Sequence, residues 1–239
     1  MVKIEQGDLL ITGKAKAVYA TSDPEVIWLH HLDQATALNG KKKSKIVGKA
    51  YYTNAISSFL FTYLSQHHVP NHFIQQLSDT DSLVKRLEMI KVEIVTRNFA
   101  AGSFQRKYDV PQMQPLKPIV QEFYLKNDAL DDPSLNASQM IALGLANETE
   151  IQAFQQIAQQ VNTHLVELFD QIGIDLVDFK IELGYDAQHN LLLADELSPD
   201  NMRLVDRQTH QSLDKDVFRQ NTGDLTTVYA EILDRLKTI

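Results

Sequence analysis

The run Leu176-Val177-Asp178-Phe179-Lys180-Ile181-Glu182-Leu183-Gly184, followed by Leu191-Leu192-Leu193-Ala194-Asp195-Glu196 and then Ser198-Pro199-Asp200, decides how this chain folds. In an extended segment side chains alternate between faces, so Asp178, Lys180 and Glu182 share one face while Val177, Phe179, Ile181 and Leu183 share the other. The polar stretch Asp186-Ala187-Gln188-His189-Asn190 turns the chain back as a hairpin. Pairing about its centre sets Glu182 nearly opposite Asp195, with Lys180 two residues along. Two carboxylates and an ammonium then converge. Oxygen ligands of this kind hold Mg2+ through one or two carboxylates, with waters and nucleotide phosphates filling the remaining positions. A solvated polar face on an ordinary amphipathic hairpin accounts for this segment alone equally well.

Upstream, Leu9-Leu10-Ile11-Thr12, Ala17-Val18-Tyr19-Ala20 and Val26-Ile27-Trp28-Leu29-His30 read as an antiparallel meander, broken by turns at Gly13-Lys14 and Ser22-Asp23-Pro24. From Ser44 to about Gln66 the apolar spacing of Ile46, Ala50, Ile56, Leu60 and Leu64 predicts a helix, which Pro70 forbids from continuing. Strands are expected at His72 to Gln76, Leu83 to Leu87, Val92 to Arg97 and Ile119 to Leu125, with mostly loop and short helix from Ala100 to Pro118. A long helix from about Glu148 to Ile172, stopped at Gly173, precedes the acidic hairpin, and a last helix runs from roughly Asp224 to Lys237. Strands precede helices, so the class is α+β. There is no internal repeat or Pro/Gly-rich linker, and any lobe boundary near Lys91 is a tight hinge.

Composition narrows the function. In 239 residues, 44% apolar and 23% charged content describe a soluble globular chain with a substantial core. A net charge of -8 argues against general nucleic-acid binding, which depends on Lys and Arg neutralising phosphates. The absence of cysteine excludes disulfides, thiolate metal sites and cysteine nucleophiles. No apolar stretch approaches a membrane span and Met1-Val2-Lys3-Ile4-Glu5 lacks a signal-peptide core, so the cytoplasm is the expected location.

Other segments carry chemistry or a plainer reading. Gly13-Lys14-Ala15-Lys16 between two strands could lay backbone N–H groups and lysines over a nucleotide's phosphates, although Walker A and G-x-G-x-x-G patterns are absent and a hairpin turn with solvated lysines is the simpler account. Asp33 to Gly40 is a turn or a binding loop, Lys41-Lys42-Lys43 a solvated cluster, and His30, His31, His67 and His68 show no ligand spacing. Arg97, Ser103 and Arg106 lie where a strand gives way to a helix start and could grip a phosphate; a helix cap with surface arginines is the alternative. Arg203 adds a cation beside the acidic hairpin.

Together, Gly13 to Tyr19, Asp33 to Gly40, Arg97 to Ser103, Leu125-Lys126-Asn127-Asp128 with Asp132-Pro133, Asp178 to Gly184 and Asp195 to Arg203 form six blocks in order. Across nearly the whole chain they resemble the signatures of the phosphoribosylaminoimidazole-succinocarboxamide synthase (SAICAR synthetase) family. Val205 stands where that family usually has Trp before Asp206, and His68 with Asn71 replaces the Gly and Thr common around the Pro70 turn.

The resemblance implies a two-lobed α+β fold with antiparallel sheets and an ATP-binding cleft between the lobes. Residues 1–90 would form an N-terminal β-rich lobe carrying the phosphate loop, and residues 91–239 an α+β lobe carrying the metal and substrate sites. The implied activity is an ATP-dependent ligase of purine biosynthesis that joins 5-amino-4-carboxyimidazole ribonucleotide to L-aspartate, through an acyl phosphate, giving SAICAR, ADP and phosphate. By motif position, Lys14, Ala15 and Lys16 would line the ATP phosphates and Met89 the adenine. Lys126 and Lys180 would sit by the transferring phosphoryl group, and Glu182 and Asp195 would hold Mg2+. Arg97, Ser103 and Arg203 would bind the ribonucleotide's 5'-phosphate, and Asp33 and Asp200 its sugar or imidazole part. No general base and no aspartate-binding residue is assigned. Neither a nucleic acid nor a membrane is an implied partner, and the oligomeric state is open, a homodimer being one option. The rival reading is a small-molecule kinase using the same ATP/Mg cleft.

Overall fold

The computed structural model describes residues 4–37 and 42–239. Three short strands, β1 (Gln6–Thr12), β2 (Lys16–Thr21) and β3 (Val26–His31), form the expected antiparallel meander. Next, β4 (Gln34–Ala37) pairs with β5 (Lys42–Lys45). That pairing moves the start of the first helix: α1 runs from Lys49 to Gln66, because Ser44 is taken up opposite Ala35 and Lys43 opposite Thr36. Leu38, Asn39 and Gly40 of the expected Asp33 to Gly40 loop, and Lys41 of the expected lysine cluster, lie outside the described residues. Then β6 (Phe73–Gln76) and β7 (Asp81–Lys85) complete a five-stranded sheet in the order β1-β2-β3-β7-β6.

The second sheet begins with β8 (Glu88–Phe99), then α2 (Gly102–Tyr108) and β9 (Pro115–Leu125). Part of the stretch expected as loop is strand, since pairing with β8 extends as far as Phe99 opposite Pro115. After β10 (Ser134–Leu135) and α3 (Ala137–Ala142), α4 (Glu148–Gln171) starts at an Asn147/Glu150 capping box, each side chain bonding the other's backbone N–H. The acidic hairpin is β11 (Ile174–Tyr185) and β12 (Leu191–Ala194), followed by β13 (Met202–Asp206), α5 (Asp216–Gln220) and α6 (Leu225–Leu236). Strand order is β10-β9-β8-β11-β12, with β13 also on β11.

That shared edge determines the site. β13 pairs with the first half of β11, from Ile174 opposite Asp206 to Phe179 opposite Met202, and β12 with the second half, from Glu182 opposite Ala194 to Tyr185 opposite Leu191. Between the two, residues 195–201 loop out of the sheet over the middle of β11, tied by Lys180 N–H donating to Asn201 O at 2.8 Å and Asn201 Nδ2 donating to Lys180 O at 3.1 Å. A bulge between Leu176 and Asp178 corrects the simple alternation. Val177 does not share the core cluster of Phe179, Ile181 and Leu183, whereas Ile174 and Leu176 do.

The main core packs α4 against this sheet and α1 against α6 and the first sheet's β3, β6 and β7, built on Leu60, Leu64, Phe154, Leu165, Phe169 and Ile232, each 2% exposed or less. At roughly 1.5–3 kcal/mol per fully buried large apolar side chain, this layer fixes the frame of the site. The first sheet has only a small cluster of its own, Ile27, Leu29 and Val84 with Val18 against it. It is joined to the second where His72 N–H donates to Leu193 O at 2.9 Å and Leu193 N–H to Pro70 O at 3.0 Å. His68, just before that junction, has φ 60, a left-handed conformation that costs a Cβ-bearing residue of order 1 kcal/mol.

At Gly184 a Cβ would stand 2.9 Å from both Glu88 O and the Leu87 Cβ, at the junction between the sheets. Gly184→Ala is expected to push the start of β8 off β11 and to lower unfolding stability by about 1–3 kcal/mol, read as a reduced denaturation midpoint at unchanged slope.

Candidate active site

A cavity of about 610 Å³ separates the β1–β2 loop, with Gly13, Lys14, Ala15 and Lys16, from the polar face of the second sheet and the 195–203 segment. Register explains its floor. Asp178, Lys180 and Glu182 point the same way from β11, and β8 sets Arg97, Val95 and Glu93 directly opposite them. Glu93 and Glu182 thus form a like-charged cross-strand pair, which is destabilising unless neutralised. Lys180 does so: its Nζ lies 2.7 Å from Glu182 Oε1, 3.2 Å from Glu93 Oε1 and 3.1 Å from Asp195 Oδ2. Lys126 caps the other oxygen of Glu182, and Lys16 donates to Asp195 Oδ1 at 2.5 Å.

Asp195 stands one residue beyond the residue paired with Glu182, with φ 61 turning it toward the cavity as β12 ends. Burial opposes its ionisation, but Lys16 and Lys180 outweigh burial and hold the carboxyl well below its ordinary value. Lys180 loses by burial and gains more from Asp195, Glu182 and Glu93, so its ammonium is held well above the usual lysine value. Glu93 moves up, burial and Glu182 overcoming Lys180. Among the described residues no group of three or more His, Asp or Glu side chains forms a metal cage. A pair of carboxylates suits a cation that takes its other ligands from phosphates and water.

At the far end two guanidinium groups converge on buried Asp178: Arg97 Nη1 lies 2.6 Å from Asp178 Oδ2 and Arg203 Nη1 2.9 Å from the same atom. Arg97 is held further by Glu122 at 2.6 Å and Ser103 Oγ at 3.2 Å, and Arg203 by Asp216 at 2.9 Å. Burial would lower Arg203's pKa; Asp178 and Asp216 raise it above its ordinary value. Gly102 has φ 56, and a Cβ there would meet Arg203 Nη2 at 2.6 Å. Arg106 is exposed and is not among the residues lining the cavity.

The structure brings Lys14, Ala15, Lys16, Arg97, Lys126, Lys180, Glu182, Asp195, Asp200 and Arg203 to one cavity. Others stand apart from its lining. Met89 is 41% exposed on β8, opposite Gly184, and Ser103 is exposed on α2, reaching the site only through Arg97. Asp33 is engaged in the fold, its Oδ1 accepting from Ala50 N–H at 2.9 Å at the start of α1. Asp200 is committed inside the protein: Lys49 donates to Oδ2 at 2.6 Å and Tyr229 to Oδ1 at 2.6 Å, with Lys215 at 3.6 Å. Burial opposes its ionisation, yet Lys49 and Lys215 pull it down to about 2.

Sequence reasoning missed Lys49, Glu93, Glu196, Lys215 and Tyr229. Lys49 is wholly buried on α1, where a lysine at a core-facing helical position gives no signal until Asp200 is brought beside it. Lys215, between Asp214 and Asp216, resembles a solvated charge run; in the fold burial lowers its pKa, Lys49 and Arg219 acting in the same direction and Asp200 against.

A cavity in which lysines and paired acids face the Gly13–Lys16 loop, with two arginines at one end, has the chemistry of an enzyme site suited to anionic ligands. The comparisons with known proteins agree. The family model "SAICAR synthetase" matches residues 9–236. The phosphoribosylaminoimidazole-succinocarboxamide synthase of Oenococcus oeni is 52% identical over 228 residues, 95% of each chain. The crystal structure of the same enzyme from Ehrlichia chaffeensis superposes with a TM-score of 0.94 at 38% identity, covering 97% of this chain and 99% of that one. A SAICAR synthetase in complex with ADP gives a TM-score of 0.93 at 38% identity over 96% and 97%. The chain belongs to the SAICAR synthetase family and is a ligase of purine biosynthesis. No helix among the described residues is long and apolar enough to cross a membrane.

His31 and His72, behind Lys16, are each lowered from 6.5 to about 3, by burial first and by Lys16 next. Below about pH 6.5 the unfolded chain protonates both while the folded protein does not, so each histidine costs stability as pH falls. Asp214, raised to about 6 by burial, acts in the opposite sense, binding its proton in the folded state first. His72→Gln is therefore expected to lose about 2 kcal/mol less than wild type between about pH 7 and pH 5 in denaturant titrations. An unchanged loss would show that His72 titrates normally in the folded protein.

Proposed function

We propose that the chain condenses 5-amino-4-carboxyimidazole ribonucleotide with L-aspartate, converting ATP to ADP and phosphate through an acyl phosphate. The observation that carries this reading is the Glu182–Lys180–Asp195 cluster facing the Lys14–Lys16 loop in the same cavity as Arg97 and Arg203. The ADP bound to a structural relative supports a nucleotide in this cleft.

A carboxylate is a poor electrophile, so it must first be activated. Its oxygen attacks the γ-phosphorus and ADP leaves; the amine then attacks the acyl carbon, the C–O bond to phosphate breaks, and the amine's proton is released. Lys14, Lys16 and the N–H of Ala15 bind the phosphates, with Met89 beside the adenine. Lys126 and Lys180 balance charge on the transferring phosphoryl group. Glu182 and Asp195 fit Mg2+, which when bound supplies charge neutralisation at the phosphate oxygens. Arg97 and Arg203 hold the 5'-phosphate and Ser103 supports Arg97. Asp33 and Asp200 shape the substrate site by holding α1 and the buried lysines. Residues 1–90 and 91–239 are the two lobes of this reading, and reactants aligned between them lose little further entropy on reaction.

ADP release should require both the ribonucleotide and L-aspartate. Release with the ribonucleotide alone and accumulation of a stable phosphorylated product would replace the ligase by a kinase. Glu182→Gln and Asp195→Asn should each reduce turnover at least about a hundredfold with thermal stability retained, consistent with about 3 kcal/mol of lost charge stabilisation; near-normal rates in either would remove the metal assignment. Gly102→Ala, which crowds Arg203, should raise KM for the ribonucleotide about tenfold and leave KM for ATP within about twofold. Equal changes for both ligands would place Arg203 outside the ribonucleotide site.

A further inference from the structure

The 195–203 segment presents one carboxylate that the reaction as derived above does not use. Glu196 lines the cavity and is 7% exposed. Its Oε2 is buried with no hydrogen-bond partner among the described residues. Every other acid of that loop is matched: Asp195 to Lys16 and Lys180, and Asp200 to Lys49 and Tyr229. An unpaired carboxylate oxygen buried beside an open cavity carries a desolvation cost that an incoming hydrogen-bond donor would relieve.

Lys215, at the start of α5, has the complementary property. It lines the cavity, is 8% exposed, and approaches Asp200 only at 3.6 Å, because both oxygens of Asp200 already accept shorter bonds from Lys49 and Tyr229. Its backbone N–H donates to Pro199 O at 3.1 Å, and Asn201 Nδ2 donates to Glu196 O at 2.5 Å, so one loop fixes both residues.

We infer that Glu196 and Lys215 form the subsite for the amino-acid nucleophile, Glu196 receiving its ammonium group and Lys215 one of its carboxylates. The inference rests on the proposed ligase reading and extends it to a reactant that had no assigned residues. Charge decides the assignment. ATP and a phosphorylated, carboxylated ribonucleotide are polyanions, which an unpaired carboxylate repels, and each already has basic partners in Lys14, Lys16, Arg97 and Arg203. An amino dicarboxylate alone among the three reactants brings a cation and an anion together. Glu196 directly follows Asp195 in the chain, so an ammonium seated there lies beside the residues proposed to handle the activated carboxyl group.

The test is steady-state kinetics of ADP release with Glu196→Gln, Lys215→Met and Lys215→Arg, using L-aspartate as varied substrate and succinate, which lacks the ammonium, as competitive inhibitor. Glu196→Gln should raise KM for L-aspartate about tenfold or more and leave the succinate inhibition constant unchanged. Lys215→Met should weaken both ligands about tenfold and Lys215→Arg should restore most of the loss. KM for ATP and for the ribonucleotide should stay within about twofold in every variant, which also reports that each is folded. If Glu196→Gln instead raises the Mg2+ requirement with KM for L-aspartate unchanged, the carboxylate serves the metal and the subsite is overturned. Parallel loss of L-aspartate and succinate in Glu196→Gln overturns the ammonium contact. Wild-type ADP release that does not need L-aspartate would defeat the ligase reading itself, whereas a clear requirement with unaltered KM in all variants would defeat only the subsite.

Discussion

Three carboxylates sit together in this protein because one ammonium stands among them. Glu93 and Glu182 are direct neighbours across β8 and β11, and Asp195 comes in from the end of β12; Lys180 reaches all three. Without that cation, like charges in a poorly solvated cleft would drive the strands apart or force protons onto the acids. With it, Asp195 stays ionised despite burial. The cluster exists only because β11 offers one edge to two successive partners, so that residues 195–201 are expelled from the sheet and held over Lys180 by Asn201. Strand pairing, rather than any single loop residue, brings the acids into range.

How much of this could be read in the sequence follows the reach of each signal. Alternation along Asp178, Lys180 and Glu182 is local, and it placed all three on one face; the hairpin placed Asp195 within one residue of its observed register. The bulge after Leu176 was invisible, because an inserted residue leaves the apolar pattern plausible on either side. At Ser44 the apolar spacing extended a helix backwards into residues that a short strand pair claims instead, a tertiary choice that helical periodicity does not encode. Family resemblance supplied Lys126, far from β11 in the chain yet bonded to Glu182 in the fold. It did not supply Lys49 or Lys215, whose meaning depends on Asp200, distant in sequence from Lys49 and with no spacing rule to connect them.

Asp200 shows how a residue in a functional motif can also hold the fold together around the site. Its carboxylate, at the cavity lining, accepts from Lys49 and Tyr229, and burial is tolerated because each oxygen receives a short hydrogen bond. Removing it would leave a fully buried ammonium without a counter-ion, a loss typically of about 3–5 kcal/mol. Asp33 acts similarly away from the cavity lining, satisfying an N–H at the start of α1 that helix geometry leaves without a partner. Both acids set the positions of other groups.

The charge balance of the cavity also bears on how its ligands arrive. The whole chain carries a net charge of -8, but the described lining matches as many Lys and Arg as Asp and Glu. Each basic group that would meet a phosphate is already paired, Lys14 with Asp128, Lys16 with Asp195, Lys180 with Asp195 and Glu182, Lys126 with Glu182, and both arginines with Asp178. A phosphate approaching these ammonium groups therefore competes with protein carboxylates for the same donors. It gains most when those carboxylates acquire another cation at the same time, as Glu182 and Asp195 would with Mg2+. On the proposed reading, metal and nucleotide would be coupled by the ion pairs themselves: each would weaken the competition that opposes the other, and the cleft would favour their joint arrival over either alone.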